Sequence, residues 1–95
     1  MKYYFYIIAS KRNGTIYIGI TSNLVRRIFQ HKNKLNKDCF TAKHNIDKLV
    51  YYEVFSGIGR AIYREKQVKK WNRSWKLKLI EGFNNNWEDL YYTLF

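Results

Sequence analysis

The stretch Tyr3-Tyr4-Phe5-Tyr6-Ile7-Ile8-Ala9-Ser10-Lys11-Arg12-Asn13-Gly14-Thr15-Ile16-Tyr17-Ile18-Gly19-Ile20 decides the fold. Tyr3 to Ile8 is aromatic and β-branched, the side-chain types that fit a pleated surface. Lys11-Arg12-Asn13-Gly14 supplies a turn, with Gly14 available for positive φ, and Thr15 to Ile20 resumes the β character. Two β runs joined by a short turn specify a hairpin. On the second strand the period of two sends Ile16, Ile18 and Ile20 to one face and Thr15, Tyr17 and Gly19 to the other. Tyr17 therefore projects beside a residue with no side chain, where a ligand can approach the backbone.

Downstream the period lengthens. Thr21 or Ser22 can cap a helix on which Leu24, Val25, Ile28, Phe29 and Leu35 share a stripe. At about 100° per residue, Arg27 and His31 lie side by side along one edge of that stripe. Residues 36–45 are polar and loop-like, and Lys48 to Phe55 forms a third strand. Its apolar residues on both faces predict a central or well-covered position. Ser56-Gly57 opens a second helix with Ile58, Ala61, Ile62 and Val68 buried, and the wheel places Glu65 between Ala61 and Ile62. A carboxylate there costs free energy unless it is paired or bound to a cation. Asn72 or Ser74 caps a third helix carrying Trp75, Leu79, Ile80 and Phe83, with Gly82 near its end. The expected class is α+β, a small three-stranded, mainly antiparallel sheet flanked by helices in the order β-β-α-β-α-α. Residues 1–83 make the domain. The tail, 84–95, packs back on it or supports an interface.

Composition limits the function. Ninety-five residues, 46% hydrophobic, hold one modest core, and without proline, repeats or low-complexity tracts nothing reads as a linker. Lysine and arginine number 18 against 7 acids, a formal charge of +11, so the surface field favours a polyanion such as nucleic acid. No run approaches the roughly 20 apolar residues of a bilayer span, and the first residues do not read as a signal peptide. A cytoplasmic protein, monomeric or weakly dimeric, is expected. Cys39 is the only cysteine, which excludes an internal disulfide and an intrachain thiolate zinc site.

Tyr4-Phe5-Tyr6, Tyr17-Ile18-Gly19, Arg27, His31 and Arg64-Glu65-Lys66 appear in an order that resembles the GIY-YIG nuclease superfamily. The likeness is to its small single-domain branch, similar to the nuclease domain of the bacterial excision-repair excinuclease. It runs from about Tyr3 to Ile80, and Phe40-Thr41, Leu49-Val50-Tyr51-Tyr52-Glu53 and Gln67 add to it. The resemblance implies a divalent-metal-dependent endonuclease acting on DNA, in repair or recombination, with low sequence specificity or choice by structure. Phosphodiester hydrolysis needs an activated water, neutralised phosphoryl charge and help for the leaving alkoxide. Glu65 would hold one Mg²⁺ or Mn²⁺. Arg27 would clamp the phosphate with its permanently charged fork. Tyr6 and Tyr17 would orient the water, either of them as general base, with His31 bonded to the tyrosine or taking its proton.

Each residue also has an ordinary reading. Tyr6 and Tyr17 are two of nine tyrosines and pack well in a core. Arg27 sits in a basic face with Arg26, Lys32 and Lys34, His31 suits a structural role, and an ion pair with Arg27 can bury Glu65 without metal. From Arg60 to Lys78 there are eight basic residues and one acid. Arg26, Lys66, Lys69, Lys70, Arg73, Lys76 and Lys78 are phosphate contacts that position nucleic acid without reading sequence. Trp71 and Trp75 either stack on bases or pack. Asn72 is the nearest match to a late asparagine of the family's metal site, and His44 faces phosphate or solvent. The alternative to an enzyme is a DNA- or RNA-binding module of the same fold with little catalysis.

Overall fold

The computed structural model describes residues 1–35 and 39–95. Strands β1 (Tyr3–Ala9) and β2 (Ile16–Thr21) form the expected hairpin. Helices α1 (Leu24–Lys32) and α2 (Phe40–Lys43), strand β3 (Lys48–Phe55), helices α3 (Ile58–Lys69) and α4 (Arg73–Phe83) and a 3-10 turn at Leu90–Thr93 follow. The sheet is antiparallel with strand order β2-β1-β3. The α+β order read from the sequence is the observed one, with the short α2 added inside the segment expected to be loop. The first part of that loop, residues 36–38, lies outside the described residues.

β1 is central because it is apolar on both faces: Phe5, Ile7, Ile8 and Ala9 are fully buried and Tyr6 nearly so. Phe5, Ile7 and Ala9 join Ile16, Ile18 and Ile20 beneath Val68 of α3, Ile80 of α4 and Trp87. Tyr6 and Ile8 join Leu49 beneath Leu24 and Ile28 of α1, Ile46 and the tail residues Leu90, Tyr91 and Leu94. β3 is an edge strand, not a central one. Its two-faced apolar pattern has another cause: Ile7 pairs with Tyr51 but Ile8 with Leu49, so Val50 is an extra residue at a bulge. The bulge turns Val50 and Tyr51 into the same core cluster.

Three local expectations are corrected. In the turn, Asn13 takes the left-handed conformation at φ 58° and no glycine does among the described residues. Asparagine tolerates that region, and Gly14 is small for another reason: a Cβ there would meet the Lys11 Cγ at 2.8 Å. Neither Thr21 nor Ser22 caps α1. β2 runs on to Thr21, and Asn23 Oδ1 accepts the Arg26 N–H at 3.0 Å instead. α1 also stops at Lys32, leaving Leu35 beyond its end and 67% exposed, so its stripe reduces to Leu24 and Ile28.

α3 is set in rotation by consecutive residues. Arg64 donates through Nε at 3.1 Å and Nη2 at 3.0 Å to Glu53 Oε2 of β3, and the Tyr51 hydroxyl donates to the same carboxylate. This fork fixes one side of the helix on β3 and leaves Glu65, about 100° further round, on the stripe with buried Ala61 and Val68. Asn72 caps α4, accepting the Trp75 N–H at 2.9 Å. In the tail, Asn84 Nδ2 donates to the Val50 carbonyl at 3.2 Å. Trp87 is buried and donates to Glu81 at 3.0 Å. Asp89 accepts from the Leu49 N–H at 3.1 Å and pairs with Lys32. Among the described residues no helix is long and apolar enough to cross a membrane.

Candidate active site

The hairpin register makes Tyr6 and Gly19 cross-strand partners. The space beside Gly19 is not open, as the sequence suggested; the Tyr6 ring fills it. A Cβ on Gly19 would stand 2.6 Å from the Tyr6 hydroxyl oxygen and 2.7 Å from Cζ. Glycine here is a condition for seating the phenol.

Over that phenol lies α1. Tyr6 Oη is 3.3 Å from His31 Nε2, and His31 Nδ1 is 3.0 Å from Thr41 Oγ1. The His31 ring centroid is 6.0 Å from that of Tyr6 and equally 6.0 Å from that of Tyr17. The two phenols differ in access: Tyr6 is 1% exposed and Tyr17 38%. Burial pushes the Tyr6 pKa up to about 12, against the pull of the Arg27 hydrogen bond and charge, with Tyr17 and Glu65 adding to the rise. Burial, then the positive charge of Arg27, lowers His31 below its ordinary 6.5 against the opposing pull of Asp47. Both influences favour the neutral imidazole.

Arg27 lines two hollows. One, of about 390 Å³, is lined by Arg27, Gln30, His31, Lys34 and Thr41 among others; a smaller one is lined by Thr21, Asn23, Arg26 and Arg27. Glu65 completes the group from α3, close enough for its charge to be felt at Tyr6. Its side chain is 19% exposed, and its ion-pair partner is Lys69 at 3.3 Å rather than Arg27. Lys69 is 53% exposed, so the pair is weak and easily exchanged. Among the described residues no three His, Cys, Asp or Glu side chains gather; the carboxylate at this cluster is that of Glu65. That donor fits a hard divalent cation that keeps several waters and takes further oxygens from phosphate.

Tyr6, Tyr17, Arg27, His31 and Glu65 thus come together. The expected phosphate contacts are spread more widely. Arg26, Lys66 and Lys70 are exposed and Lys76 is half-buried. Arg73 donates to the carbonyls of Asn13 at 2.9 Å and Gly14 at 2.7 Å, clamping the hairpin turn. Asn72 is engaged as a cap, and His44 ends α2 with its ring 4.4 Å from Phe40. Trp71 packs against the core while Trp75 is 53% exposed. Sequence reasoning missed Thr41 as the second partner of His31; its only signal was the family-like pair Phe40-Thr41.

This fold and this clustering define a GIY-YIG domain. The chain belongs to that family: the model of the GIY-YIG catalytic domain matches residues 2–78. Its relatives carry the name UPF0213 protein. One from Staphylococcus haemolyticus is 39% identical over 84% of this chain and 95% of the relative. One in the VLF1-GP41 intergenic region of Autographa californica nuclear polyhedrosis virus is 38% identical over 79% and 73%. The solution NMR structure of a UPF0213 protein from Bacillus halodurans matches at a TM-score of 0.58, with 27% identity, over 94% of this chain and 93% of that one. The chain is thus a nuclease-family domain.

Proposed function

We propose that the protein is a divalent-metal-dependent endonuclease that hydrolyses DNA phosphodiester bonds with little sequence preference. The observation that carries this reading is the clustering around the Tyr6 phenol: His31 bonds it, the ring of Tyr17 stands equally near His31, and the charges of Arg27 and Glu65 are both felt there. Arg27 binds the scissile phosphate and offsets the charge that builds on it. Tyr17, the exposed phenol, meets the attacking water. Tyr6 keeps its proton because burial holds its pKa at about 12, and it holds the His31 ring. The proton that leaves the water through Tyr17 ends on His31 Nε2. His31 then donates to the Tyr6 oxygen, and the Tyr6 O–H turns to a phosphate oxygen. Glu65 would hold one Mg²⁺ or Mn²⁺, whose Lewis acidity stabilises the leaving oxygen.

The exposed cations Arg26, Lys66 and Lys70 supply sequence-independent attraction, which suits selection of substrates by shape. The test is incubation of wild type and Glu65→Ala with supercoiled plasmid and labelled single strands, with Mg²⁺, Mn²⁺ or chelator. Cleavage that needs both metal and Glu65, with binding nearly intact in the variant, is expected. Binding without any such cleavage on these substrates would leave a nucleic-acid-binding module and overturn the enzyme reading.

A further inference from the structure

Thr41, 4% exposed, presents a buried hydroxyl against α1. Its Oγ1 has two partners, His31 Nδ1 at 3.0 Å and Cys39 Sγ at 3.2 Å. Among the described residues no buried side-chain polar atom lacks a partner.

The direction of the chain follows from its inner end. Tyr6 Oη lies 3.3 Å from His31 Nε2, the hydrogen bond the phenol makes among the described residues. With the phenol as donor, Nε2 is the acceptor and is bare. A neutral imidazole with a bare Nε2 carries its hydrogen on Nδ1, and Nδ1–H donates to Thr41 Oγ1. The Thr41 hydroxyl is left to donate to Cys39 Sγ.

We propose that Thr41 is a positioning residue: by accepting from Nδ1–H it holds the His31 imidazole in the tautomer whose free Nε2 faces the Tyr6 hydroxyl. This deepens the nuclease reading and rests on it for its catalytic consequence, though not for the tautomer itself. The short helix α2 carries this hydroxyl. Cys39 precedes its first residue, and the Ile46 N–H returns to the Thr41 carbonyl at 2.9 Å, pinning the backbone there.

The ring-nitrogen NMR spectrum of the ¹⁵N-labelled wild-type protein is the first measurement, and it needs no variant. It should show His31 with a protonated Nδ1 and a bare Nε2; protonated Nε2 would overturn the proposal whether or not the protein cleaves DNA. Thr41→Ser keeps the hydroxyl and should keep that tautomer, with plasmid cleavage within about threefold of wild type. Thr41→Val keeps the shape but not the acceptor. It should mix the tautomers and lower kcat by about tenfold to a hundredfold, the range seen when the partner orienting a histidine ring is removed, with KM unchanged. A kcat loss in Thr41→Val with the tautomer unaltered, or a loss equal in Thr41→Ser, would assign Thr41 a packing role only. Absence of cleavage in wild type would overturn the enzyme reading and leave the tautomer result standing.

Discussion

The hydroxyl of Tyr6 occupies the place a side chain on Gly19 would take, 2.6 Å from where its Cβ would sit. That neighbour belongs to a rigid ring anchored in β1 and is not the loose end of a flexible chain. Gly19→Ala should therefore displace Tyr6 from His31. We expect a loss of about 1–3 kcal/mol, the usual cost of overpacking, and cleavage reduced by more than about tenfold. Urea unfolding and plasmid nicking measure the two effects. Gly59→Ala is the control: its Cβ meets nothing within 4 Å, and in α3 it should gain up to about 1 kcal/mol from helix propensity.

The two tyrosines should separate by removal of a single oxygen. Tyr17→Phe takes away the phenol that meets water and should lower kcat by about a hundredfold or more, with stability unchanged, since general-base terms are of this size. Tyr6→Phe removes a buried hydroxyl bonded to His31 and should cost stability, about 1 kcal/mol, together with a smaller kcat loss. Steady-state kinetics alongside thermal unfolding would reveal a reversed order, which would make Tyr6 the base.

Acid should act through His31. Its folded pKa lies below 6.5 because burial and Arg27 disfavour the charged ring. The unfolded chain thus takes up the proton first as pH falls. The stability from keeping this ring neutral is whole above about pH 6.5 and is lost as pH falls through the folded value. Arg27→Ala should raise the His31 pKa, read from the imidazole carbon-bound proton by NMR. The acid limb of the cleavage profile should follow the same value.

Asp89 ties the tail to two distant elements, accepting from Leu49 N and Tyr91 N, each at 3.1 Å, and pairing with Lys32. Asp89→Ala leaves these donors without their acceptor, an expected loss of about 1–3 kcal/mol. Asp89→Asn keeps the Oδ1 acceptor and should lose less. Denaturant midpoints compare them directly.

Basic residues should fall into two groups. Lys66→Ala and Lys70→Ala should each lower the slope of log affinity against log salt by about one phosphate contact and leave stability alone. Arg73→Ala should instead destabilise by about 1 kcal/mol, because it removes two bonds to the hairpin turn. Fluorescence binding titrations across salt concentrations, with melting curves, check both.

What the sequence disclosed depended on whether a pattern had one physical cause. Alternation from Ile16 to Ile20 has one, a half-covered strand, and the hairpin was legible. An apolar pattern on both faces of Lys48 to Phe55 has two: the strand is well covered, with Leu49 in one cluster and Val50 and Tyr51 in the other, but it lies at the sheet edge with a bulge at Val50 and not at the centre. Glu65 was legible because a carboxylate on an apolar stripe is costly, and α3 does carry it between buried Ala61 and Val68. Thr41 was not: a neutral hydroxyl in a one-turn helix has no periodicity, and its contact with His31 spans ten positions. Asn13 and not Gly14 takes the positive φ, since both residue types suit that region, and only the approach of Ser10 and Lys11 shows what the small size of Gly14 serves.

The Lys32–Asp89 pair begins one residue after His31 and ends in a tail beyond residues 2–78, where the family match stops. Mechanically it is a strut, bracing the last turn of the arm that carries Arg27 and His31. The helix that carries Arg27 and His31 is thus held at its last turn from outside the residues the family shares.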